Sequence, residues 1–138
     1  CALPILVPLP GYTTVAGFPI EELLPHDEIE RLSDRTRTGG AEIVKHLKSG
    51  SAYYAPAASA AEMVEAVLTG GRRIAPASAL LDGEYGYDGI FMGVPVKLGG
   101  GGIEEIYELP LRDSERAALD RSADAVRKGV ADLAELEV

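Results

Sequence analysis

Few residues in this chain are of a type that could do chemistry. Among 138 residues there are two histidines, His26 and His46, and one cysteine, Cys1. One cysteine cannot close a disulfide within the chain, and the three residues are too scattered for a zinc-ligand spacing, so no metal ligand is named. Glu104 and Glu105 are adjacent. On a strand they would point to opposite faces, which argues against shared acid/base work. The run Gly99-Gly100-Gly101-Gly102 suggests a phosphate loop, but the place of a third fingerprint glycine falls on Glu104 or Glu105 and no Walker lysine follows. Set between two apolar runs, it reads as a hairpin turn. His46, beside Leu47 and without a partner motif, belongs on an exposed or interface face. Arg31, Arg35 and Arg37 alternate with Glu30 and Asp34, the pattern of a solvated helix face. A net charge of −9 and a pI near 4.7 argue further against nucleic acid as a partner. No self-contained catalytic residue follows from these types and spacings.

The stretch with most to say is Gly50-Ser51-Ala52-Tyr53-Tyr54-Ala55-Pro56-Ala57-Ala58-Ser59. A proline removes a backbone donor and crowds the preceding turn, so Pro56 should break or re-aim a helix that would otherwise run from about Ile29 to Leu68. A broken helix leaves unpaired polar groups, and small side chains let another molecule approach closely, which together make a wall for a ligand. A helix–loop–helix packed through alanines satisfies the same pattern.

The elements around it are legible from periodicity. Prolines among aliphatics over residues 3–10 give an extended edge segment. Tyr12 to Val15 form a short strand, and Ile20 to Leu24 make one helical turn that Pro25 stops. From Asp27, expected as N-cap, the spacing of Ile29, Leu32, Thr36, Ile43 and Leu47 predicts a helix of about twenty residues. Gly39-Gly40 within it implies a bend or a close backbone neighbour. Met63, Val64, Val67 and Leu68 continue a second helix, with Ser59 and Glu62 at capping-box spacing and Gly70-Gly71 as its stop. Three strands follow, Ile74 to Leu81, Ile90 to Leu98 and Ile103 to Leu109, with a loop at Gly83–Gly89. A final helix begins with Asp113 as N-cap and turns Leu119, Ser122, Val126, Val130, Leu133 and Leu136 to the core. Segregated helices and strands predict an α+β fold, a long interrupted helix pair and a C-terminal helix on an antiparallel sheet. Length suits one domain, 1–138, with a globular composition of 46% hydrophobic and 25% charged residues. No apolar run is long enough to span a bilayer and no secretory signal is recognisable, so no membrane partner and a cytoplasmic location are expected.

Several phrases, in order, resemble a known family: Val7-Pro8-Leu9-Pro10 with Tyr12-Thr13-Thr14-Val15-Ala16-Gly17, Arg35-Thr36-Arg37-Thr38-Gly39-Gly40-Ala41-Glu42-Ile43-Val44, Gly50 to Ser59, Ala61 to Ala66, Gly83-Glu84-Tyr85-Gly86 and Gly93-Val94-Pro95-Val96-Lys97-Leu98-Gly99. Together they are similar to the C-terminal half of NAD-dependent malate dehydrogenases of the branch close to lactate dehydrogenase. The resemblance implies a substrate-binding and oligomerisation domain whose complete enzyme interconverts malate and oxaloacetate with NAD. The NAD-binding Rossmann domain, the substrate-clamping arginines and the aspartate behind the catalytic histidine would all lie before Cys1. The family's His-Gly-Asp phrase aligns with Ala2-Leu3-Pro4, so the proton acid/base is missing and no cofactor is expected to be held by this chain alone. By the same resemblance Ser51, Ala52 and Pro56 face the substrate and the nicotinamide edge as walls, their small size leaving room for the second carboxylate of a dicarboxylate. The implied partners are further copies of the chain, the NAD-binding domain and a small dicarboxylate. The alternative is a self-associating, non-catalytic binding or assembly module derived from such a domain.

Overall fold

The computed structural model describes residues 6–135. Residues 6–9 run without a strand partner into a 3-10 turn at Pro10–Tyr12, and a small hairpin pairs β1 (Thr14–Val15) with β2 (Phe18–Pro19). Its two-residue turn, Ala16-Gly17, takes positive φ at both positions, the geometry that matches strand twist. The expected strand is thus shorter than Tyr12 to Val15, because Pro10 starts a turn; of the extended edge segment, residues 3–5 lie outside the described chain.

One helical turn, α1 (Ile20–Leu23), ends before Pro25, and α2 (His26–Leu47) follows. Pro25, not Asp27, occupies the cap: its carbonyl accepts the N–H groups of Glu28 and Ile29, both at 3.1 Å. Asp27 and Glu28 sit in the first turn, where the helix dipole favours them. The helix continues through Gly39-Gly40 without interruption, and a Cβ at either glycine would meet nothing within 4 Å. Among the described residues no backbone approaches the pair closely enough to explain it. The arginines do lie on a solvated face, Arg31 with Glu28, Arg37 with Asp34 and Arg35 with Glu42.

The interruption falls upstream of the proline. Residues 48–53 leave the helix, and α3 (Tyr54–Thr69) takes Pro56 into its first turn. There its missing N–H would have had no helical acceptor, so the ring is accommodated without a break. Ser59 lies inside α3 and caps nothing, while Glu62 pairs with Arg73 at 3.0 Å. Gly70, at φ 61°, ends the helix as expected.

The core lies beneath an antiparallel sheet ordered β3 (Arg73–Asp82), β4 (Asp88–Gly99), β5 (Gly102–Ile106). Alternate residues face inward, Ala77, Ala79 and Leu81 on β3 and Ile90, Met92, Val94, Val96 and Leu98 on β4. They pack with Ala66 of α3 and with Leu119 and Ala123 of α4 (Asp113–Glu135). The glycine run is the β4–β5 turn, with Gly99 paired to Gly102. Bonding to β4 goes one residue past β5, Tyr107 N donating to Pro95 O at 2.9 Å, and stops before Leu109 because Leu109 N turns to Tyr85 Oη, also at 2.9 Å. A bulge leaves Glu104 without a strand partner, so Glu104 and Glu105 both approach Lys97 Nζ, at 3.7 and 3.8 Å, contrary to the opposite-face expectation.

Asp113 is the first residue of α4 and not its cap. Arg112 takes that place, donating its N–H to Glu115 Oε2 at 2.9 Å and accepting from Arg116 N at 2.8 Å. The inward stripe of α4 stops early: Leu119, Ser122 and Ala123 are buried and Val126 half-buried, but Val130 and Leu133 are exposed. At 1.5 Å per residue the helix is roughly 35 Å long, and its second half leaves the core; Leu136 lies beyond the described residues. No described helix is long and apolar enough to cross a membrane.

Candidate functional site

The broken helix is made by backbone conformation. Lys48 ends α2 at φ 62°, its N–H still bonded to Val44 O at 3.2 Å, and Gly50 follows at φ 88°. Left-handed conformations favour glycine at Gly50 and cost the lysine a steric penalty, so the chain turns sharply there. Ser51 and Ala52 then lead to Tyr53, whose carbonyl accepts the first α3 bond from Ala57 N at 2.9 Å. No side chain caps that end. The first-turn amides of α3 open toward the joint.

Ser51 and Pro56 are exposed and Ala52 is half-buried. Tyr53 and Tyr54 stack at a tilt, ring centroids 4.9 Å apart, and Tyr54 is 81% exposed. Ile43, Val44 and Leu47 at the end of α2 and Met63, Val64 and Leu68 on α3 are also exposed. The joint is therefore a small-residue surface on helices that show much apolar area, and Ser51, Ala52 and Pro56 lie within six residues of chain. Among the described residues a cleft of about 370 Å³ lies along α2 from Leu32 to His46, and two others adjoin the first half of α4. One of about 630 Å³ separates Val7–Pro10 and α2 from the start of α4, and one of about 340 Å³ lies between Leu6–Leu9, the sheet and α4; the three wall residues line none of these clefts.

Neither a nucleotide cradle nor proton chemistry is built at the joint. Among the described residues no glycine-rich strand-to-helix turn would hold a dinucleotide, so the residues present do not build a cradle for NAD. No group of three or more metal-ligating side chains occurs among the described residues. The polar organisation is concentrated around the loop between β3 and β4, where periodicity gives no signal. Tyr85 is buried at φ 54° between Gly83 and Gly86. Its N–H reaches Glu108 at 2.6 Å, its hydroxyl donates to Tyr107 O at 2.8 Å and accepts from Leu109 N at 2.9 Å, and its carbonyl accepts from Arg116 at 2.7 Å. Burial raises its phenol pKa. Tyr87 donates to Asp120 at 2.5 Å between the guanidinium groups of Arg116 and Arg127, 5.2 and 5.6 Å from its ring. Burial, then that bond, push its pKa up to about 12. These tyrosines are kept neutral and tie the loop before β4 to α4. The one sequence hint was the glycines around them.

The sequence profile of the lactate/malate dehydrogenase α/β C-terminal domain matches residues 11–137. The malate dehydrogenase of Methanosarcina mazei is 57% identical over 129 residues, 94% of this chain and 42% of that protein. That of Chlorobium chlorochromatii is 58% identical over 89% of this chain and 40% of its own length. Among solved structures, Salinibacter ruber malate dehydrogenase superposes with a TM-score of 0.92 at 49% identity, covering 96% of this chain and 43% of that one. Eimeria maxima lactate dehydrogenase, solved with NADH and oxamate, gives 0.86 at 37% identity over 95% and 43%. The chain thus spans about two fifths of the length of these relatives. With its α+β architecture and the profile match in agreement, the chain belongs to the lactate/malate dehydrogenase family, in the part that forms the family's C-terminal domain.

Proposed function

We propose that the chain is the substrate-binding and oligomerisation domain of a malate dehydrogenase, one half of a catalyst that converts malate and NAD to oxaloacetate and NADH. The observation that carries this is the superposition on the Salinibacter malate dehydrogenase at 49% identity over nearly the whole chain but under half of that enzyme. In this reading Ser51, Ala52 and Pro56 wall the site against the dicarboxylate and the nicotinamide edge. A Rossmann domain supplies the NAD cradle, the surroundings are cytoplasmic, and the exposed apolar faces of α2 and α3 are covered by that domain and by further copies.

The 138 residues contain neither a dinucleotide fingerprint nor a histidine in the phrase that precedes Val7, where Ala2-Leu3-Pro4 stand. Positioned acid/base catalysis contributes about 10² to 10⁴ in rate, so this chain by itself is expected to show no protein-dependent oxidation of NADH by oxaloacetate. The test is complementation with the NAD-binding half of the Methanosarcina relative, using this chain with Ala2→His, Leu3→Gly and Pro4→Asp. Restored turnover supports the reading. Binding without turnover, or none, favours the second reading, a non-catalytic assembly module, for which the replaced histidine phrase is the specific observation.

A further inference from the structure

Residues 10–47 form an arm, the 3-10 turn, the β1–β2 hairpin, α1 and α2, that lies beside the sheet core across the 630 Å³ cleft. Its apolar anchorage is slight, since Ile29 alone among its residues is buried. Polar fastenings bridge the gap. Tyr12 Oη donates to Pro110 O at 2.7 Å, and Arg112 Nη1 and Nη2 donate to Glu21 Oε1 and Oε2 at 2.7 and 2.9 Å. The guanidinium passes close over Gly11, where a Cβ would stand 3.0 Å from Arg112 Nη2. The main chain of Arg112 is itself anchored. Its N–H is bonded to buried Glu115, and it opens the helix whose Leu119 and Ala123 are in the core.

We infer that Arg112 is a positioning residue: seated over Gly11 and gripping Glu21, it fixes α1 and the start of α2, and the neighbouring Val7–Pro10 segment, relative to the core. This rests on the proposed function for its consequence, because Val7–Pro10 then carries the chain away from the histidine phrase and α2 delivers the Ser51–Ala52 wall. A two-point guanidinium clamp sets an angle as well as a distance, which a lysine cannot do.

The experiment compares Arg112→Gln, Arg112→Lys, Glu21→Gln and the Arg112→Gln/Glu21→Gln double variant. Hydrogen exchange is read at Thr13, Ile20 and Leu24, whose amides are bonded within the arm, and in β4. Each Gln variant is expected to speed arm exchange by roughly two- to fivefold, the scale of a well-formed exposed ion pair, with β4 unchanged, the double variant no worse than a single, and Lys intermediate. Additive effects, equal acceleration in β4, or no acceleration overturn the clamp. In the complemented assembly, Arg112→Gln is expected to lower kcat several-fold with KM for NADH unchanged; unaltered kcat overturns the positioning role. Failure of the unmutated assembly to turn over sinks the malate dehydrogenase reading and that role with it, and the exchange data then stand as evidence on the ion pair alone.

Discussion

Tyr87 shows how a residue can be chemically conspicuous and still serve architecture. Its folded-state pKa, about 12, is above the ordinary phenol value of about 10, so the native state holds the proton more tightly than the unfolded chain. The stabilisation is complete below pH 10 and is lost as pH rises from 10 through 12. A Tyr87→Phe variant is expected to cost about 1 kcal/mol at neutral pH by loss of the bond to Asp120. It should also flatten the alkaline fall in stability, which urea titrations between pH 8 and 11.5 would show. Neither tyrosine could be read from the sequence as buried, because a 3-10 loop has no period and the partners, Asp120, Arg116 and Tyr107, lie 22 to 33 residues away. At Ala52 the expectation is the reverse. The site is half-buried on a joint, so Ala52→Leu should leave the melting temperature nearly unchanged. It should cut oxaloacetate turnover in the complemented assembly by about 10- to 200-fold by filling the space of a carboxylate. Equal loss of stability and turnover would make residue 52 a packing position.

At the scale of elements, the hydrophobic period located the three long α-helices and the three long strands, because burial on one face is what periodicity records. It failed at ends. Asp27 and Asp113 have the side chains of good caps, yet Pro25 and Arg112 hold those places, since the entry path of the chain and a reaching Glu115 decide which carbonyl is used first. Pro56 was recognised as a helix breaker, but the break belongs to Lys48 and Gly50, a turn of backbone that no side-chain pattern encodes. Pro56→Ala is therefore expected to change stability by less than about 1 kcal/mol and to leave far-UV circular dichroism unaltered. A large gain in helicity would show that the proline had been holding α2 and α3 apart. At Gly99 a Cβ would fall on the Glu104 carboxyl, the free end of a flexible side chain that can swing aside, so Gly99→Ala is expected to cost less than about 1 kcal/mol, the scale of its weak contact with Lys97. A larger loss that persists in the Glu104→Ala background would place the strain in the backbone.

For the molecule as a whole, the sheet and two helices make a closed core, whereas α2, most of α3 and the second half of α4 turn Ile43, Leu47, Leu68, Val130 and Leu133 to solvent. That surface is only partly legible in the sequence, where Val130 and Leu133 count as core-facing; a period shows that a face is apolar, not what covers it. Sedimentation over a range of concentrations is expected to show self-association, strongest near the isoelectric point of about 4.7, where charge repulsion is weakest. A strictly monomeric chain at high concentration would contradict it. The path between α2 and α3 has one more implication. Since Lys48 and Gly50 fix the course of the main chain, the side chains at 51 and 52 can be exchanged without disturbing either rod. If the proposed wall is the true one, selection can then retune which acid is accepted while the scaffold goes on folding as before, so that preference and foldability are free to drift apart through evolution.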